Sequence, residues 1–325
     1  MQHFNVPKVG LFMMALSYPA LLHIFYLGNA GELPVFMGIA AFILSLSAPL
    51  LGSYIAIRER EEVRTQYDAR RLLLPVAAGI LPSLYCFVGV VCYMLNASTA
   101  VELTVFYFIV LAFIFWALMG DKQREHTPEV VSTSNWRFFH GGVAVLLLIF
   151  ISAHLINHLL ANFGGQLHLD VMDKLRVFYR HPIVEPALVI LFVLQTLSGL
   201  LLVNKHLKKK GSAYNTLQIV TGLMLFVFLS SHLVAIFILG RWYAGIDTNW
   251  NWLVYPPGLL NSAWNVRLVT HYIAGVAALI IHLGLGARLV LIKHKMPVVA
   301  HYVFWLSVLV SIVLTVAIMT PLVMA

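Results

Sequence analysis

Charge is what this chain of 325 residues has least of. Asp, Glu, Lys and Arg together make up 10% of it, where an average soluble domain is nearer a quarter. An ordinary soluble globule is thereby excluded. Cysteine is almost absent too: Cys86 and Cys92 share one apolar run on different faces of a helix. That spacing fits neither a zinc pair nor a redox motif, so both read as small buried hydrophobes. Alternating apolar and polar stretches are missing, which excludes a β-barrel. No small-residue cleavage site follows the long apolar run in residues 1–27, so no cleavable signal peptide is expected. The net charge is +8, yet no basic extramembrane domain exists to carry nucleic acid.

What the chain does have is apolar length, 61% of its residues being hydrophobic. Continuous runs predict nine membrane spans at about 8–27, 33–57, 72–95, 100–120, 137–162, 183–204, 214–240, 266–292 and 298–321. The fold expected is an all-α, polytopic transmembrane bundle. With the N-terminus in the cytoplasm, 16 of the 21 Lys and Arg fall inside. Only Lys174, Arg176, Arg180, Arg241 and Arg267 then lie outside, with the C-terminus. A polar linker, 121–136, separates a four-helix region of unassigned role (1–120) from a five-helix domain (137–325). In the first region, His23 is the one histidine expected to be buried. Membrane lipid is the first expected partner, with KHLKKK at 205–210 as an anchor for anionic headgroups. The loop at 58–71 mixes acids with its arginines and reads as a solvated connector. Trp242, Trp250, Trp252 and Trp264 read as an interfacial belt or a lid.

The chemistry sits in the 136–162 stretch, WRFFHGGVAVLLLIFISAHLINHLLAN, which carries His140, His154 and His158. Histidine inside a membrane helix usually faces a partner, a cofactor or water. Counting helical rise puts His154 about 25 Å up the fifth span. His232 lies at nearly the same height in the seventh span. Two imidazoles at one depth on two helices suit axial ligation of a haem b iron, each ring giving its second N–H to an acceptor. The other reading is a pair of histidines hydrogen-bonding across helices. His158, one turn beyond His154, suits a propionate or quinone contact; His271 suits a haem propionate. His140 beside Arg137 reads as a propionate contact or an interfacial residue. Glu185, with Arg180 and His181, makes a candidate quinone or proton site, or else a solvated loop end shaped by Pro182 and Pro186.

Three segments carry a remote resemblance over about 136–320: FFHGG with SAHLINHLLAN (138–162), LQIVTGLMLFVFLSSHLVAIF (217–237) and HYIAGVAALIIHLGL (271–285). They resemble the cytochrome b membrane-anchor subunit of succinate dehydrogenase and fumarate reductase, in its one-chain five-helix form. In that family helices one and four ligate the outer haem, and two and five the inner. The resemblance implies His154 and His232 as the outer pair and His282 as the fifth-helix ligand of an inner haem. Where the helix-two ligand is expected, this chain has Gln195. A second haem is then absent, or His140 or His206 substitutes.

The resemblance further implies flavoprotein and iron–sulfur partner subunits, a quinone, and a bacterial inner membrane. The chain itself has no flavin fingerprint and no cysteine-ligated cluster, so at most it is the electron-transfer subunit of an oxidoreductase. Two other classes stay open. One is a non-catalytic haem-binding sensor or scaffold, which the four extra N-terminal spans favour. The other is a transporter, for which Pro19, Pro34, Pro49, Pro75 and Pro82 leave room for broken helices.

Overall fold

The computed structural model describes residues 6–61, 66–119, 134–207, 210–254 and 258–325. The described residues hold helices and no strand, and nine helical stretches among them are long and apolar enough to cross a membrane. Within hydrocarbon only a helix or a closed barrel satisfies every backbone group. The protein is an integral membrane helical bundle.

The first four spans are α1 (Val6–Asn29), α2 (Val35–Arg60), a broken span of α3 (Gln66–Ala77) and α4 (Leu81–Met94), and α5 (Thr99–Leu118). The break is a 3₁₀ turn at Ala78–Ile80, just ahead of Pro82, whose missing N–H leaves the Ala78 carbonyl without its helical partner. The expected linker lies mostly outside the described residues. Then come α6 (Ser134–Leu160), α7 (Gly165–Tyr179), α8 (Val184–Leu207) and α9 (Ala213–Leu233), the last running into a π-helix at Val234–Tyr243. The short α10 (Trp250–Leu253), α11 (Val266–Lys293) and α12 (Pro297–Met324) complete the order. Hydropathy located the spans to within a few residues but passed over α7, an amphipathic helix of 15 residues that is too short and polar to count among them.

The N-terminal spans are packed into the histidine-bearing ones. Of the apolar stretch that spans α3 and α4, 67% is buried, against 11% for α8. α4 links the two regions, packing against α5 as well as α9 and α11. One core cluster joins Tyr18, Tyr85 and Phe106 to Val266 of α11. Tyr18 Oη donates to Thr270 Oγ1 at 2.9 Å. His23 is exposed, contrary to expectation, and stacks on Tyr26. Its neighbour Leu22 faces the core, and one residue of α-helix turns the next side chain about 100° away.

Small residues set the closest crossings, as is usual between membrane helices. A methyl group on Gly28 of α1 would lie 2.6 Å from the Cα of Gly38 on α2. Gly28→Leu is therefore expected to prise that hairpin apart, lowering stability by about 1–3 kcal/mol. A thermal midpoint unchanged in detergent would show that the crossing is looser than this.

Candidate functional site

A cavity of about 1330 Å³ runs between α6, α8, α9 and α11, from Arg137 and His206 at one end to Glu185, Arg241 and Trp250 at the other. Sites for one small ligand span about 300–1,000 Å³. This one has room for more than a single planar group. Its walls are mostly apolar, and histidines interrupt them at two levels.

At the first level His154 of α6 faces His232 of α9, ring centres 6.2 Å apart. Each ring is steadied by a phenylalanine one turn earlier: Phe150 on His154 at 5.7 Å, Phe228 on His232 at 5.6 Å. Phe228 in turn presses on Gly275 of α11, where any β-carbon would overlap its ring. A metal–imidazole bond is about 2 Å long, so two imidazoles on opposite sides of one ion have centres roughly 6 Å apart. The pair therefore fits axial ligation of one iron. Among the described residues no three or more His, Cys, Asp or Glu gather as a metal site, but a macrocycle that brings its own equatorial nitrogens needs only two axial ligands.

At the second level His140 of α6 faces His282 of α11, ring centres 6.4 Å apart. His140 Nδ1 lies 2.9 Å from Ser198 Oγ, and its Nε2 3.1 Å from the Gln195 amide nitrogen. His282 Nδ1 lies 3.0 Å from Thr221 Oγ1, and its Nε2 3.2 Å from the Gln218 amide nitrogen. His140 is thus turned inward, not left at an interface. His206 instead sits 2.9 Å from Arg137, at the cavity's end.

Around the first level the structure joins two further residues, Asn157 and His168, to the expected His158. His158 packs edge-on to His154 at 4.6 Å, and His168 of α7 lies 5.2 Å beyond it. Asn157 Nδ2 reaches His168 Nε2 at 3.2 Å. Among the described residues His158 Nδ1, His168 Nδ1 and Asn157 Oδ1 are buried without a hydrogen-bond partner. These unpaired atoms give that end of the cavity unspent capacity for a polar ligand.

His168 lies outside the spans. Burial, with the nearby Arg176 charge, pushes its imidazole down from 6.5 to about 4. Between those two values the unfolded chain binds a proton that the fold refuses. Stability is thus expected to be flat above pH 6.5 and to decline as pH falls towards 4. A thermal-midpoint series should show that slope, and His168→Gln should make it shallower by one histidine's share. An unchanged slope in the variant would assign it elsewhere.

Of the trio Glu185, Arg180 and His181, the first two line the same cavity, but the three side chains take other partners. Glu185 pairs bidentately with Arg241, at 2.6 and 3.1 Å. Arg180 turns to Asp247 at 3.1 Å, as does Arg176 at 2.9 Å. Burial alone would raise the Asp247 carboxyl, but these two guanidinium groups outweigh it and hold the carboxyl below its ordinary range. His181 is exposed, its Nδ1 accepting from the Ile183 N–H at 3.3 Å. His271 does not line the cavity either: it is buried, with Nδ1 3.1 Å from Ser83 Oγ of α4. The tryptophans also divide. Trp250 is buried and, with Trp252, closes the cavity end, whereas Trp242 is exposed.

No protein-family model, curated protein or solved structure matches this chain. Among the last five spans, His232 lies on the third and His282 on the fourth. Each is one helix earlier than the resemblance assigns.

Proposed function

We propose that the protein binds haem b and carries electrons between a quinol or quinone and a redox partner. On this reading it is the membrane subunit of a succinate dehydrogenase/fumarate reductase-like complex in a bacterial cytoplasmic membrane. The observation that carries it is the opposition of His154 and His232 across the cavity. When bound, the haem supplies one-electron chemistry at a potential set by its ligands and burial. His154 and His232 hold the iron, and Phe150 and Phe228 fix the planes of the two rings. The apolar walls exclude water. Asn157, His158 and His168 offer unpaired polar atoms beside the pair, where a quinone headgroup or a propionate finds hydrogen bonds. Oxidation of a dicarboxylate falls to flavoprotein and iron–sulfur subunits.

The test is an absorption spectrum of the purified protein with haem quantitation. A reduced b-type spectrum is expected, its first component lost in both His154→Ala and His232→Ala. Equal haem content in wild type and both variants would remove the pairing. Reduction of the bound haem by a short-chain quinol separates an electron carrier from a haem-bearing scaffold, which would stay oxidised.

A further inference from the structure

Each ring at the second level is held by the same short sequence on the neighbouring helix. On α8 it reads Gln195-Thr196-Leu197-Ser198-Gly199; on α9 it reads Gln218-Ile219-Val220-Thr221-Gly222. The pattern is Gln, two apolar or small residues, a hydroxyl residue, then Gly. Every element has the same job in both copies. The hydroxyl meets Nδ1, at 2.9 Å for His140 and 3.0 Å for His282. The glutamine amide meets Nε2, at 3.1 and 3.2 Å. The glycine makes room for the ring: a β-carbon on Gly199 would lie 3.2 Å from His140 Cε1, and one on Gly222 3.2 Å from His282 Cε1.

The hydroxyl protons are committed elsewhere. Ser198 Oγ donates to the Gln195 carbonyl at 3.0 Å, and Thr221 Oγ1 to the Leu217 carbonyl at 2.7 Å. Each oxygen is left to accept, so each imidazole carries its proton on Nδ1 and keeps the lone pair on Nε2. This is the tautomer a metal-ligating histidine takes, with its outer N–H fixed by a second acceptor. The two lone pairs belong to rings whose centres are 6.4 Å apart, near the 6.2 Å of the first pair. Gln195 Oε1 is buried without a partner among the described residues, so that amide is an incompletely bonded side chain that a ligand can displace.

We infer that His140 and His282 are a second axial pair, holding an iron porphyrin on the first and fourth of the last five spans. The inference rests on the haem reading of His154 and His232, and it replaces the helix-two and helix-five arrangement that the resemblance implies. His140 and His154 are fourteen residues apart on one helix, which separates the two levels by about 21 Å along its axis. Arg137, His206 and Lys293 line the cavity end nearest the second pair. They supply cationic and N–H donors for the carboxylates of such a group.

Haem stoichiometry by pyridine haemochrome assay, with a potentiometric titration, decides the matter. Two haems per chain are expected in wild type and one in His140→Ala or His282→Ala, the survivor being the component lost in His154→Ala. The retained haem reports that the variant has folded. His140→Met keeps a ligating atom, and axial methionine raises a haem potential. That variant should keep two haems, with one midpoint raised and the other unmoved. One haem per chain, lost in His154→Ala but indifferent to His140→Ala, would overturn the second site and leave the first reading standing. Two haems retained in His140→Ala, or a non-haem metal lost with that histidine, would also overturn it. No haem at all would remove both.

Discussion

Glu102→Leu, with Arg267 kept, is expected to destabilise the protein by about 3–5 kcal/mol, the range for stripping one partner from a buried ion pair. The two side chains are 7% and 4% exposed, with Arg267 Nη1 donating to Glu102 Oε1 at 2.5 Å. The guanidinium lies over the ring of Tyr85 at 4.4 Å and that of Trp264 at 4.8 Å. Gly89 gives it room, since a methyl group there would overlap Nη1. Without the carboxylate, a buried cation is left with the Trp264 carbonyl and the two aromatic rings as its partners. The double variant Glu102→Leu, Arg267→Met removes both charges and is expected to recover most of the loss, because apolar replacement of a whole buried pair is often neutral. Thermal midpoints in detergent read both outcomes. If single and double variants melt alike, the pair is not acting as a coupled unit. Since α5 belongs to the N-terminal spans and α11 carries His271 and His282, this pair also measures how firmly the two halves are joined.

The spans were legible because their signal is local: twenty apolar residues in a row have few alternatives once backbone polarity must be satisfied internally. The opposition of His154 and His232 could also be expected, because depth along a helix follows from counting rise. Rotation about the helix axis could not. It decides that His140 faces inward, that His271 turns to Ser83, and that His23 is exposed. Each depends on which neighbour a face meets, which is a tertiary fact. The ion pairs at the cavity mouth escaped for a similar reason. Glu185 sits five residues from Arg180 in sequence, yet the fold gives it Arg241, 56 residues away, while Asp247 takes Arg176 and Arg180. The second pair does leave one local signal in the sequence. QTLSG and QIVTG mark both Nδ1 partners of the second pair, and aligning the sixth and seventh spans against each other exposes them.

A glycine at position 154 or 232 should do more than remove a ligand; it should leave a ring-sized gap that free imidazole can refill. The bare His154→Gly or His232→Gly protein is expected to lose the first-level haem almost completely. Adding imidazole should restore its b-type spectrum in proportion to concentration. A tethered side chain enjoys an effective concentration on the order of millimolar or more, so refilling should need imidazole at about that level. The walls favour the experiment, since Phe150 and Phe228 stay in place to stack on an incoming ring as they stack on His154 and His232. A histidine pair that only hydrogen-bonds across helices gives the opposite result: its glycine variants would lose stability, and imidazole would restore no absorbance. Phe228→Ala separates ligation from orientation. The ligand remains but its ring is released, so haem should still bind while the spectrum and midpoint of the first component shift. A wild-type spectrum in that variant would show that Phe228 packs against Gly275 without steering His232.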